Sequence, residues 1–201
     1  MMLSLEEGTL LVKTARKTIE TYLRDGRILP RPRVPSKLLE PRGVFVTLTK
    51  QGELRGCIGH PLPTMPLIDA LIDSAISAAT RDPRFPPVTP EELAEIEIEV
   101  SVLSKPETVK VSHPKEYPRH IEIGRDGLIV EGMGCAGLLL PQVAVEYGWD
   151  AEEFLSNACM KAGLMPDCWL EKGVRISKFS AQVFSERKPG GEIVERKLLP
   201  P

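Results

Sequence analysis

The side chains best suited to chemistry lie in one short segment, Arg55-Gly56-Cys57-Ile58-Gly59. The apolar runs and turn residues around it predict a β-hairpin, with this segment on the returning strand. Side chains two residues apart point to the same side of a strand, so Arg55 and Cys57 are expected to lie together. A neighbouring guanidinium stabilises a thiolate, which is the nucleophilic form of cysteine. Cys57 is therefore the candidate catalytic residue.

The two glycines of this segment indicate that another group comes close to the strand. Glycine in a strand loses packing and backbone entropy, so Gly56 and Gly59 mark a bulge or a close approach. We assign both glycines to a candidate ligand-binding site. The alternative is that Cys57 is a small buried residue of a tightly packed hairpin, because free cysteine is among the most buried residue types.

A second group of charged residues follows in the loop Arg81-Asp82-Pro83-Arg84-Phe85. Guanidinium groups hold carboxylate or phosphate with paired hydrogen bonds, so Arg55, Arg81 and Arg84 could converge on an anionic ligand. Asp82 could orient one of these arginines, and all four residues are predicted to bind the ligand. The alternative is an ion-pair network that holds the proline-rich loop against the hairpin.

A metal site is the weaker interpretation of the same segment. Cys57 and His60 have a C-x-x-H spacing, and Cys135, His113 or His120 could join them. The second pair of ligands that a zinc site normally shows is missing from the sequence. No metal site and no cofactor are therefore predicted.

The elements of the first half must position this segment. Ser4 and Glu7 form a capping-box pattern, and helical spacing of apolar residues predicts an amphipathic helix over residues 5–24. The hairpin occupies residues 44–59, and a helix follows it. Near-perfect alternation of apolar and polar residues over 95–103 predicts a half-buried strand.

The second half contains similar elements. A second hairpin is predicted over residues 121–130, with its turn at Arg125-Asp126-Gly127. Pro141 opens one helix, a capping box opens another over 151–162, and a last strand spans about 175–184.

Hairpin, helix and long strand thus recur, which predicts an α+β fold. We expect two halves related by internal duplication, about 1–105 and 106–185, that form a mixed, curled sheet with helices packed on it. These halves would be two sublobes of a single domain over residues 1–185. Residues 186–201 contain two glycines and three prolines and are predicted to be a loosely held tail.

Composition excludes several classes of function. The net charge of −2 gives no bulk electrostatic reason to bind nucleic acid or acidic membranes. No apolar run approaches the ~20 residues of a spanning helix, and the N-terminus lacks the pattern of a secretory signal. The sequence predicts a cytoplasmic protein with no nucleic-acid or membrane partner.

The four cysteines are spaced irregularly, so they form neither a disulfide framework nor a zinc ribbon. Sparse asparagine and glutamine with abundant proline and charged residues are typical of a thermophile. Intracellular disulfides occur in thermophiles, which makes a Cys159–Cys168 bond less improbable. We nevertheless expect reduced thiols.

Several segments also occur together in a characteristic order: Gly43–Leu48, Leu54–Gly59, Asp82–Phe85, Glu99–Leu103, Leu139–Ala144, Gly148–Asp150, Phe154–Leu155 and Lys161–Leu164. They resemble the motifs of the AMMECR-type domain family over about residues 5–185. The resemblance implies an α+β fold with an internal duplication and two sublobes. The family often has threonine or serine where this chain has His60, so the histidine carries less weight. Family members fused to or encoded beside Memo-type and radical-SAM proteins imply these as partner proteins.

Two functions are consistent with these observations. The first is a small anionic ligand site around Arg55–Gly59, with Cys57 as nucleophile or thiol ligand. The second is a non-catalytic protein–protein interaction module, in which the segment is a rigid surface and Cys57 is structural.

Overall fold

The computed structural model describes residues 2–197 and consists of α-helices and antiparallel strands. The α-helices are α1 (Leu5–Asp25), α2 (Leu67–Thr80), α3 (Pro141–Tyr147) and α4 (Ala151–Lys161). The strands are β1 (Val44–Lys50), β2 (Glu53–His60), β3 (Ile96–Leu103), β4 (Glu107–Thr108), β5 (Asp126–Gly132), β6 (Cys135–Leu139), β7 (Arg175–Glu186) and β8 (Ile193–Arg196). Short 3₁₀ helices lie at Ser36–Leu39, Glu92–Glu95, Pro114–His120 and Cys168–Leu170. The predicted α+β fold is confirmed, and the internal duplication stays a prediction.

The chain forms two compact units. The first contains the described residues up to Leu103 together with Gln182–Arg196, and the second contains Ser104–Ala181. Strand β7 therefore contributes its beginning to the second unit and its end to the first.

The first unit has β1 at the centre of its sheet. β1 pairs with β2 on one side and with β3 on the other, both antiparallel. Val44, Val46 and Leu48 alternate along β1 and are fully buried on the face that packs against α2. Alternation places Thr47 on the opposite face, beside Cys57 of the neighbouring strand. The face of this sheet opposite α2 therefore carries the cysteine of the motif.

Helix α1 confirms the prediction made from its capping box. The Ser4 side chain accepts the Glu7 N–H, and the Glu7 carboxylate accepts the Ser4 N–H. Gly26 ends the helix in the left-handed conformation, with a φ of 67°. Both ends of the helix were thus readable from local sequence.

The second unit corrects the predicted second hairpin. The observed hairpin joins β5 to β6, and its turn is Met133–Gly134, where both residues have positive φ. The residues before β5 form a turn instead of a strand, because the Asp126 carboxylate accepts the Glu122 N–H. The apolar alternation at Ile121 and Ile123 was therefore misleading.

Strand β8 lies in the segment that the sequence assigned to a loose tail. It pairs with residues 183–186 of β7 and buries Ile193 in the core of the first unit. Four residues with one buried side chain give too little periodicity to predict a strand. Residues 198–201 of the predicted tail lie outside the described residues.

The expectation of reduced thiols is wrong for two cysteines of the second unit. A disulfide joins Cys159, near the end of α4, to Cys168 at the start of a 3₁₀ helix, and both residues are buried. Their Cα atoms are 6.0 Å apart, a separation typical of disulfides. Gly163 lies between them in the left-handed conformation, and the chain there turns back so that the two cysteines meet.

Replacing Cys168 with serine should lower the free energy of unfolding by about 3 kcal/mol. The bond closes a short loop, and the entropy of that loop in the unfolded chain is regained when the bond is lost. Denaturant unfolding without reductant measures the effect. Cys135→Ser is the matched control, because Cys135 is an exposed free cysteine. Equal stability of the two variants would contradict a disulfide in the folded protein.

Within residues 2–197, no helix is both long and apolar enough to cross a membrane.

Candidate functional site

The motif lies on β2, at one edge of the first unit's sheet. Among the described residues, β2 pairs with β1 and with no other strand. The register shifts by one between Leu48–Gly56 and Thr49–Leu54, which leaves Arg55 without a partner residue on β1. This irregularity is a bulge immediately before Gly56. The sequence prediction of a bulge or close approach at the glycines is thus confirmed.

Both glycines also lie where the backbone is crowded. A Cβ atom on Gly56 would overlap the carbonyl oxygen of Ala78 in α2, and one on Gly59 would overlap the carbonyl oxygen of Val44 and the Phe45 ring. Gly56 therefore lets the helix backbone lie directly on the strand. In this structure the groups that approach the glycines are parts of the first unit itself.

Gly56→Ala should lower the free energy of unfolding by about 3 kcal/mol, because a methyl group cannot fit against a backbone oxygen. Gly52→Ala is the control. Gly52 has a φ of 83° but open space around it, so alanine there costs only about 1–2 kcal/mol of backbone strain. Chemical denaturation compares the two variants. If Gly56→Ala is the milder change, the close packing of α2 on β2 is wrong.

The Cys57 thiol is half-buried and is not activated. Its Sγ accepts a hydrogen bond from the Thr47 hydroxyl at 3.3 Å. Burial raises the pKa of the Cys57 thiol above its ordinary value; the Thr47 hydrogen bond and the positive charge of Arg84 act in the opposite direction but are smaller. A thiol in this environment remains protonated at neutral pH and is a poor nucleophile.

Arg55 does not supply the charge that the sequence argument required. Its guanidinium forms two hydrogen bonds with the Glu92 carboxylate, at 2.8 and 2.9 Å, and its side chain is only 13% exposed. The carboxylate neutralises Arg55, which lies over the Phe85 ring with its Cζ 5.9 Å from the centroid. Sequence reasoning missed Glu92, since nothing in the local pattern pairs it with a residue 37 positions away.

Asp82 is the centre of the hydrogen bonding around the motif. Its Oδ2 accepts hydrogen bonds from the Cys57 N–H at 2.8 Å and from Nη2 of Arg84 at 2.7 Å. Its Oδ1 accepts the Arg84 N–H at 3.1 Å and Nε of Arg84 at 2.9 Å. Nη2 of Arg84 also reaches the Cys57 carbonyl oxygen at 3.4 Å. We call this set of contacts the Asp82–Arg84 clamp.

The clamp fixes the charge of Asp82. The hydrogen bonds from Arg84 lower the pKa of the Asp82 carboxyl to about 2, against the opposing effect of burial. The carboxylate is 2% exposed, whereas the Arg84 side chain is 52% exposed. Arg84 is therefore held from one side and open to solvent on the other.

Arg81 and His60 converge on a different carboxylate. His60 Nε2 lies 2.8 Å from Asp73 Oδ2, and Nη1 of Arg81 lies 3.8 Å from Asp73 Oδ1. The Arg81 side chain is 57% exposed. In sequence, the buried Asp82 is therefore flanked by two residues with half-exposed guanidinium groups, Arg81 and Arg84.

The structure separates the predicted site residues into three groups. Arg55 is neutralised by Glu92, while Asp82 and Arg84 hold the backbone of Cys57. Arg81 lies with His60 at Asp73. In residues 2–197 no group of three or more histidine, cysteine, aspartate or glutamate residues is arranged to hold a metal ion. The arrangement is suited to non-covalent recognition through exposed guanidinium groups.

Comparison with known proteins gives the family. The AMMECR1 family model matches residues 12–184. Protein MJ0810 of Methanocaldococcus jannaschii is 58% identical over 98% of this chain and 99% of its own length. A protein of Methanothermobacter thermautotrophicus is 60% identical over 92% of this chain and 96% of its own length. The chain therefore belongs to the AMMECR1 family, as the order of its motifs indicated.

A solved structure agrees with the fold. The crystal structure of the uncharacterized protein PH0010 from Pyrococcus horikoshii superposes with a TM-score of 0.93 at 50% sequence identity. The match covers 96% of this chain and 98% of that chain.

Proposed function

We propose that the first unit carries a non-covalent binding site for a small anionic ligand, with Arg84 and Arg81 as its binding residues. One observation carries the proposal: a buried carboxylate orients a half-exposed guanidinium. Nε and Nη2 of Arg84 are used by Asp82 and Cys57, whereas Nη1 donates no hydrogen bond to any described residue. Its two N–H groups are available to a carboxylate or phosphate oxygen.

The rigidity of the loop favours binding. Asp82 fixes the Arg84 side chain, and the Phe85 ring lies beneath its guanidinium, whose Cζ is 5.4 Å from the ring centroid. An arginine already held in place loses little conformational freedom when it meets a ligand. Arg81, loosely paired with Asp73, would add a second cation.

The other predicted site residues have supporting roles in this proposal. Arg55 and Glu92 would hold Phe85 in place beneath Arg84. Gly56 and Gly59 would allow the close packing of the strand, and Cys57 would bind Asp82 through its backbone. The protonated thiol is assigned no covalent step.

The test is a titration of the full chain with citrate and inorganic phosphate, followed by NMR of the arginine Nε–H signals. We expect both anions to shift the Arg84 signal saturably, and Arg84→Gln to weaken binding at least ten-fold, about 1.4 kcal/mol. Arg24→Gln is the control, because Arg24 is an exposed arginine held by the adjacent Asp25. Equal binding by both variants would reject the site.

A second candidate is the protein-interaction module. The observation that favours it is apolar exposure at both ends of β2, where Leu54 is 41% and Leu62 is 51% exposed. Exposed apolar surface marks protein-interaction sites, and arginine is enriched among interaction hot spots. The Memo-type and radical-SAM partners remain predictions from the resemblance. Leu62→Ser should weaken binding to a purified Memo-type protein of the same organism but leave the citrate titration unchanged, which separates the two candidates.

A further inference from the structure

The backbone of Cys57 points away from the sheet. In an antiparallel strand the N–H and C=O of one residue face the same side, and successive residues alternate. The Cys57 N–H is bound by Asp82 and its C=O by Arg84, so both groups face outward from the pair formed with β1. These are the groups to which an additional strand would bind. The Asp82–Arg84 clamp occupies the place of that strand.

Beyond the bulge at Arg55, β2 is poorly protected against strand addition. Natural edge strands are commonly blocked by proline, lysine or unpaired charge. The exposed Glu53 and the bulge at Arg55 protect the beginning of this strand. From Gly56 to His60 it contains neither proline nor lysine, and the one arginine of the strand is neutralised by Glu92. Leu54, on the same strand, is 41% exposed. The clamp is therefore the main feature that closes this edge.

We infer that the Asp82–Arg84 clamp blocks strand addition at the β2 edge, and that the strand it excludes is β2 of a second copy of this chain. Two antiparallel copies of β2 centred on Cys57 would place Gly56 of each copy opposite Ile58 of the other, on the regular part of the strand beyond the bulge at Arg55. No like charges meet in this register, so the edge is self-complementary about a two-fold axis. This inference is independent of anion binding.

The experiment compares Asp82→Ala with the wild-type chain by size-exclusion chromatography with light scattering, over a range of concentrations. Removing the carboxylate frees the Cys57 N–H, and we expect the dimer dissociation constant to fall at least ten-fold. Hydrogen exchange should show the Cys57 amide exchanging faster in the dilute variant and slower in the associated one. A folded variant with a fast Cys57 amide and the wild-type mass at every concentration would overturn the inference.

A second substitution identifies the surface used. Leu54→Lys places a charge on the β2 edge, so Asp82→Ala with Leu54→Lys should return to the wild-type mass. If the double variant associates as strongly as Asp82→Ala, association uses another surface, and the inference that the clamp blocks the β2 edge is rejected. If Asp82→Ala does not fold, Arg84→Gln is used in its place, because it frees the Cys57 carbonyl. The expected result and the contradicting result are then the same as for Asp82→Ala.

Discussion

Replacing Asp82 with alanine should lower the free energy of unfolding by about 3–4 kcal/mol. The change leaves the Cys57 N–H without its acceptor and the Arg84 guanidinium without its carboxylate. Urea unfolding measures the loss. Asp73→Ala is the control, because Asp73 is half exposed and its contacts with His60 and Arg81 lie at the surface. Its cost should stay below about 1 kcal/mol, since surface ion pairs contribute little.

The contribution of Asp82 should also depend on pH in a defined direction. The folded pKa of Asp82 is lowered to about 2, below the ordinary value of 3.8. A depressed carboxyl pKa gives stability that is present above the unfolded pKa and is lost as the pH falls through the folded one. Between pH 4 and pH 2, the wild-type protein should therefore lose more stability than Asp82→Ala. Parallel curves would show that the carboxylate is not held by Arg84.

Glu186→Ala should be at least as damaging, with an expected loss of about 4 kcal/mol. The Arg16 guanidinium makes two hydrogen bonds of 2.6 Å to Glu186 and another of 2.6 Å to the Ile96 carbonyl. The Glu186 carboxylate also accepts the Ile98 N–H at 3.0 Å and is 3% exposed. Removing it leaves the largely buried Arg16 guanidinium, whose side chain is 15% exposed, without its carboxylate, which is among the most destabilising single changes.

A neighbouring ion pair gives the matched control for this prediction. Arg187 follows Glu186 directly in sequence and pairs with Glu192, but both side chains are about two-thirds exposed or more. Glu192→Ala should change stability by less than 1 kcal/mol. Thermal and denaturant unfolding compare the two variants. A small effect at Glu186 would mean that α1 is held to the sheet of the first unit by packing alone.

Much of the fold could be predicted because its signals are local. The capping box of Ser4 and Glu7 defines the start of α1 within four residues, and strict alternation defines β3. The prediction of the second hairpin was wrong because the apolar alternation continues into a turn that the Asp126 side chain holds. Strand β8 was not predicted because it is defined by its pairing with β7 and not by a local sequence pattern.

The position of the motif in the fold could be predicted from the sequence, but its electrostatics could not, and ligand binding by these residues stays a prediction. Spacing correctly placed Arg55, Gly56 and Cys57 on one strand, and the loop of Asp82 and Arg84 was correctly associated with them. The sequence could not show that Glu92 neutralises Arg55, because that contact depends on tertiary structure. It therefore suggested an activated thiol, whereas burial in the folded unit raises the pKa of that thiol.

The pH dependence of Cys57 alkylation in the native protein tests most directly whether the motif serves recognition rather than covalent chemistry. Iodoacetamide labelling followed by mass spectrometry gives a rate for each free cysteine, and exposed Cys135 is the internal comparison. We predict that Cys57 reacts more slowly than Cys135 at every pH, with an apparent pKa above the ordinary ~8.5. Rapid alkylation of Cys57 with an apparent pKa well below that value would contradict a recognition role and would support Cys57 as a nucleophile.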